Sequence, residues 1–189
     1  MWEWSVGVSV VYVFAAAIAE EVAQENGPRR ARWVSRRAAT LWNAALALFS
    51  AAGAAELAPV ALAASMSPGV LCEASYWIHS PWAALFVWSK VVELGDTVML
   101  VGRGRPITFL HAYHHSSVLV FSAHAYAVRN PAGFWYMWMN LVVHAVMYSY
   151  YALHPRGRGL APLITALQLA QMAAGFAVAL VARRDCGAG

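Results

Sequence analysis

The run GFWYMWMNLVVHAVMYSYYALH at 133–154, the turn PRGRG at 155–159 and the run LAPLITALQLAQMAAGFAVALVA at 160–182 together decide the fold. About 20 predominantly apolar residues carry a helix across a bilayer core, and both flanks reach that length. The residues between them form a short basic turn. Two apolar runs joined in this way imply a pair of membrane helices.

The remainder of the chain repeats the pattern. Apolar segments occupy 5–19, 38–60, 82–101 and 107–126, separated by basic or Pro/Gly-marked stretches that include Gly102-Arg-Gly-Arg-Pro106 and Arg129-Asn-Pro131. The expectation is an all-α integral membrane protein of about six transmembrane helices, with residues 1–189 as a single domain. Composition agrees: 61% of residues are hydrophobic and 12% charged, where about 25% charged is usual for a soluble domain. Mean hydropathy is +0.52. These values exclude a disordered tail, a disulfide-rich secreted domain and a soluble nucleic-acid binder. The first segment is short for a span, but its acidic leader Met-Trp-Glu-Trp is unlike the basic start of a signal peptide.

Arginine placement gives an orientation. Nine arginines (29, 30, 32, 36, 37, 103, 105, 156 and 158) follow segments one, three and five, and three (129, 183 and 184) lie on the opposite side. The positive-inside rule places the richer side in the cytosol and the N-terminus across the membrane from it. Cys72 and Cys186 then fall together on the non-cytosolic side. In an oxidising lumen they are a candidate disulfide; two free thiols are the alternative.

Ionisable groups within spans are costly and face a bundle interior, so each is a candidate for function. The third segment carries Lys90, Glu93 and Asp96, with Lys90, Glu93 and Thr97 on one helical face. A buried Lys90–Glu93 ion pair that only fixes packing is the plain alternative. The fourth opens with His111-Ala-Tyr-His114-His115, whose spacing predicts three imidazoles on one face. Such a group suits metal ligation or acyl transfer. In the fifth, Asn140, His144, Met147, Tyr148 and Tyr151 follow a helical stripe. In the sixth, Thr165, Gln168 and Gln171 recur every third residue, as site lining or as amide links between helices. His79, His124 and His154 have no motif partners and read as structural.

Lys90-x-x-Glu93-Leu94-x-Asp96-Thr97, His111-x-x-His114-His115, Asn140-x-x-x-His144-x-x-Met147-Tyr148-x-Tyr150-Tyr151 and Thr165-x-x-Gln168-x-x-Gln171 resemble, in order and spacing, the four signature motifs of the ELO family of very-long-chain fatty acid elongases. Leu41-Trp42-Asn43 and Arg105-Pro-Ile-x-Phe109-Leu110 add lesser resemblances. The resemblance implies a 3-ketoacyl-CoA synthase of the endoplasmic reticulum that condenses acyl-CoA with malonyl-CoA, using no cofactor or metal. It also implies a helical barrel around an acyl tunnel, open to the cytosol, and a lumenal disulfide would fit it. That family has seven spans where six are legible here, so the C-terminus is expected in the lumen.

The chemistry implied makes His114 the acyl acceptor, with His144 positioning the malonyl unit and stabilising negative charge. Glu93 and Asp96 would orient the imidazoles. His111, His115, Asn140, Tyr148, Tyr151, Gln168 and Gln171 would complete the lining, and Lys90, Arg103 and Arg105 would meet CoA phosphates. Besides the lipid bilayer, the expected neighbours are the ketoreductase, dehydratase and enoyl reductase of the elongation cycle, and no nucleic acid. Two other classes remain at this point. A di-iron desaturase or hydroxylase uses the same histidine unit, but in several boxes, where this chain has one. A non-enzymatic membrane bundle would leave four motifs at family spacing without a reason.

Overall fold

The computed structural model describes residues 2–25, 33–66, 80–153 and 159–186. Every regular element among them is a helix: α1 (Glu3–Glu25), α2 (Arg36–Met66), α3 (Pro81–Glu93), α4 (Gly95–Gly102), α5 (Phe109–Ala127), α6 (Gly133–Leu153) and α7 (Ala161–Cys186). Three of these, α1, α2 and α7, are long and apolar enough to cross a membrane. Of the other spans read from the sequence, the third is divided between α3 and α4, each too short to cross alone, and the fourth and fifth, α5 and α6, carry histidines and tyrosines among their apolar residues.

Two boundaries differ from expectation. The third span is divided into α3 and α4 at Leu94, which keeps helical dihedrals (φ −59°, ψ −23°). There the ladder tightens to three-residue bonds: Leu94 N–H donates to Val91 O and Thr97 N–H to Leu94 O, each at 3.2 Å. The second span, expected to end at about 60 just after Pro59, instead continues through that proline to Met66. Proline removes one ladder donor, yet membrane helices tolerate it when flanking residues hold the turn. Alanines at 54, 55, 58, 61, 63 and 64 supply strong helix formers on both sides.

The helices form two compact units. The first gathers α1, α4, α5 and most of α3; the second gathers α2, α6 and α7. Within the first, α1 packs on α5 and α4, and within the second, α6 packs on α7.

α1 shows an inverted pattern. Ser5, Ser9, Tyr12 and Ala16 are buried, while Val10, Val11, Phe14 and Ile18 are exposed. A helix in water would do the reverse. In lipid the hydrocarbon takes the apolar face, and small or polar residues make the helix contact. α7 follows suit, with Leu163, Leu169, Met172 and Phe176 exposed. These surfaces and the chain's several apolar helices define a multi-pass membrane protein.

The turn after α4 fixes the approach to the histidine box. Gly104 has φ +66°, and its N–H donates to Val101 O at 2.8 Å while Arg105 N–H donates to Leu100 O at 3.0 Å. This paired closure is the Schellman arrangement, which places a left-handed residue just past the helix end. A side chain at Gly102 would run into Val34, whose N–H donates to Gly102 O at 2.9 Å. Arg105 then leads into Ile107, whose N–H donates to the Glu20 carboxylate of α1 at 2.8 Å.

Candidate active site

In the first unit, Thr108 caps α5 in extended conformation and accepts the N–H of His111, 3.2 Å from its Oγ1. The cap therefore sets the first histidine of the box directly. From there the three imidazoles separate. His111 and His115 lie together, ring centroids 4.3 Å apart, and the His115 side chain is 10% exposed. His114, some 100° further round the helix from His115, is exposed and meets His115 edge-on at 5.4 Å. The predicted common face is thus a half-buried pair with a third, exposed ring at its rim.

Each half-buried ring has a neighbour from α4. Asp96 Oδ2 stands 4.0 Å from His115 Nε2, the outer limit of an ion pair. Thr97 Oγ1 is 2.8 Å from His111 Nε2 and 2.8 Å from the Tyr12 hydroxyl of α1. Glu93 has close partners on its own helix. Its Oε1 accepts from Lys90 Nζ at 2.7 Å and from Ser89 Oγ at 3.3 Å. Lys90 is 3% exposed, with its ammonium over the Phe86 ring at 4.4 Å. The burial and pairing place Lys90 in the interior of this unit, and Arg103 and Arg105 in the turn after α4.

In the second unit the stripe on α6 is buried as its spacing predicts for Asn140, His144, Met147 and Tyr148. Asn140 Nδ2 lies 3.2 Å from His144 Nε2, and the His144 ring stands edge-on to Tyr148 at 5.3 Å. The stripe departs from expectation at its end. Tyr151 is 44% exposed, and Tyr150 is buried in its place, in an apolar cluster with Leu46, Ala47, Met147, Tyr148 and Ile164. On α7, Gln168 Nε2 donates to the Met147 sulfur at 3.4 Å, Thr165 bonds back to Ala161 O of its own helix at 3.1 Å, and Gln171 is half-buried. His79, Cys72 and His154 lie outside the described residues, as do Arg156 and Arg158, and nothing is described of the Cys186 side chain.

Two residues at the site were not singled out from the sequence. Thr97 stood in the motif as a face marker without a role, and Tyr12 was read only as part of an apolar run. The signal for Tyr12 was present: Ser5, Ser9 and Tyr12 follow i, i+4, i+7 within that run. Among the described residues no three of His, Cys, Asp and Glu converge as a metal ligand set. The side chains provide imidazoles that stand beside a hydroxyl, an amide and a carboxylate.

A multi-pass helical membrane protein with this histidine pair and exposed third ring is the class that fold and site define. The profile of the ELO (GNS1/SUR4) family matches residues 1–187, and the chain belongs to that family. It is 41% identical over 160 residues to "Very long chain fatty acid elongase 6" of Gallus gallus, covering 79% of this chain and 60% of that protein. It is 34% identical to "Putative fatty acid elongase 3" of Caenorhabditis elegans, covering 97% of this chain and 59% of that protein. "Very long chain fatty acid elongase 3" of Homo sapiens is also 34% identical, with 98% and 72% covered. The chain therefore spans about 60% of the length of the first two relatives. No solved structure matches it significantly.

Proposed function

We propose that this chain carries the condensing site of a fatty acid elongase, joining an acyl-CoA to malonyl-CoA with release of CoA and carbon dioxide. The reading rests on one observation above all. His111 and His115 lie half-buried as a pair beside Thr97 and Asp96, while His114 next to them is exposed to an incoming thioester. A His114 nitrogen attacks the thioester carbonyl, the C–S bond breaks, and CoA leaves as the thiol with the proton the imidazole gives up. Malonyl-CoA then loses carbon dioxide; the electron pair of the broken C–C bond remains as an enolate and attacks the acyl carbon. The C–N bond to His114 breaks, and the imidazole takes a proton from water. Forming an acyl-imidazole divides one difficult displacement into two easier ones.

His144, oriented by Asn140, is assigned the malonyl unit and the developing enolate charge. His115 and His111, with Asp96, position the reacting ring, and Tyr148 and Gln168 line the second unit's face with Gln171 and Tyr151 further out. Arg103 and Arg105 are assigned the CoA phosphates, for which guanidinium groups are suited. Lys90 and Glu93 belong to this scheme as the buried pair that supports α3. The matched family range supports reading residues 1–189 as one elongase unit. Residence in the endoplasmic reticulum, the arginine-rich side in the cytosol, a Cys72–Cys186 bond in the lumen and contact with the ketoreductase, dehydratase and enoyl reductase complete the proposal.

The test is two-carbon incorporation from labelled malonyl-CoA in membranes lacking host elongases, with intact mass measured after acyl-CoA alone. Wild type should give a 3-oxoacyl product and a covalent acyl adduct; His114→Ala should lose both, with a rate at least 100-fold lower. Turnover that survives in His114→Ala would overturn the assignment.

A further inference from the structure

Tyr12, Thr97 and His111 come from three helices, and their polar atoms form one chain: Tyr12 hydroxyl to Thr97 Oγ1 at 2.8 Å, Thr97 Oγ1 to His111 Nε2 at 2.8 Å. Proton counting gives this chain a direction. A threonine hydroxyl has a single proton, and a neutral imidazole has one N–H and one acceptor nitrogen. The Tyr12 phenol is buried, and Thr97 is its hydrogen-bond partner among the described residues. A buried hydroxyl that kept its proton unshared would forfeit a hydrogen bond, so the Tyr12 O–H donates to Thr97. Thr97 must then spend its own proton on His111, and Nε2 must be the acceptor. The proton of the His111 ring is left on Nδ1, and because that ring is half-buried while the Tyr12 phenol is buried, the Nδ1–H is the proton less sealed from other acceptors.

We infer that Tyr12 is a positioning residue of the condensing site, acting through Thr97 to hold His111 as the Nδ1–H tautomer. The inference rests on the proposed function for its kinetic consequence, but not for its chemistry. It distinguishes between imidazoles that the box motif leaves equivalent. His111 has its Nε2 lone pair committed to Thr97, so that nitrogen is not available to attack a thioester, and its Nδ1–H is a donor. Because the His111 ring lies 4.3 Å from that of His115, fixing one ring also restricts the other. The Tyr12 ring flanks His115 as well, at 6.4 Å. Tyr12→Phe keeps that flank and removes only the hydroxyl. Thr97 is then free to accept from an Nε2–H and to donate elsewhere, and the tautomer is released.

The experiment uses the full chain labelled with 15N-histidine in detergent micelles, with His111 assigned by loss of its signals in His111→Gln. Wild type should show the Nδ1–H pattern at His111, and Tyr12→Phe a shift toward Nε2–H. In the condensation assay Tyr12→Phe should lower kcat about tenfold at unchanged KM for acyl-CoA, the effect of one lost hydrogen bond at a reacting group. Thr97→Val should match it, Thr97→Ser should restore most of the rate, and Tyr12→Phe combined with Thr97→Val should be no slower than Thr97→Val. A wild-type His111 already in the Nε2–H form, or spectra unchanged by Tyr12→Phe, would overturn the inference. Absence of condensation by wild type would instead count against the proposed function, and the spectra would still decide the tautomer.

Discussion

In the first unit, one hydroxyl on α4 joins a tyrosine from α1 to a histidine from α5; in the second, Asn140 and His144 meet one turn apart on a single helix. The contrast extends beyond these groups. Ser9 Oγ of α1 donates to Ser116 O of α5 at 3.1 Å, and Glu20 of α1 accepts from the loop before the histidine box. In the second unit Asn43 bonds back to Ala39 O of its own helix at 2.7 Å, as Thr165 does to Ala161. Between its helices the Trp138 indole N–H reaches Ala54 O at 3.1 Å, and Gln168 reaches the Met147 thioether. Close packing also joins its helices: a side chain at Gly53 would run into the Trp82 ring and one at Gly175 into Tyr136. The first unit thus joins three helices through one polar chain at the histidine box, whereas the second holds its polar pair, Asn140 and His144, on one helix.

The largest test of this contrast is Lys90. Its pair with Glu93 spans one turn of α3 and is sunk in an apolar interior. Removing one partner of a buried pair leaves the other charge uncompensated and costs about 3–5 kcal/mol, while replacing both with apolar residues costs much less. Lys90→Met should therefore lower unfolding stability in detergent by about that amount, and Lys90→Met with Glu93→Leu should recover most of it. Equal losses in the single and double variants would mean that the pair is not what Lys90 contributes.

Asn140→Leu probes the second unit. It keeps the volume and removes the amide beside His144 Nε2, at an expected cost of about 1–2 kcal/mol. The comparison predicts where the loss is felt. Hydrogen exchange should rise along α6 around His144 and stay unchanged in α2. Thr97→Val should by contrast loosen α1 and α5 together. If Asn140→Leu loosened α2 as much as α6, the picture of a polar pair confined to one helix would fail.

The same contrast explains what the sequence disclosed. Periodicity along one helix identifies which residues share a face, so the Asn140, His144, Met147 and Tyr148 stripe was legible, as were the apolar spans. It identifies no partner on another helix. Tyr12 is 85 residues from Thr97, and no spacing rule connects them. Periodicity also fails where a face ends. Tyr151 continues the stripe by angle, but at the end of α6 the cluster around Trp42 and Ile164 takes Tyr150 instead. The histidine box was legible as a group but not in its division: spacing put three rings on one face, and it did not tell which would be half-buried beside Thr97 and Asp96 and which exposed. Pro59 misled because its effect depends on what flanks it, and alanine on both sides lets α2 continue to Met66.

The smallest effect belongs to Gln168, and it examines the weakest link in the contrast. A thioether is a poor acceptor, the bond to Met147 is long at 3.4 Å, and Gln168 is exposed. A helix–helix amide bond in a membrane averages about 0.6 kcal/mol even with better acceptors. Gln168→Leu should thus change stability by no more than about 0.5 kcal/mol, in the same unfolding measurement. Met147→Leu, which removes the acceptor at nearly constant volume, should be equally mild. If the two variants together cost no more than either alone, the contact is a true but minor bond. If Gln168→Leu leaves stability untouched and lowers condensation several-fold, the amide serves the substrate, and its contact with Met147 holds it ready for that purpose. A stability loss of 2 kcal/mol or more would contradict the comparison itself, since it would make a polar crossing between α6 and α7 as important to the second unit as Tyr12 and Thr97 are to the first.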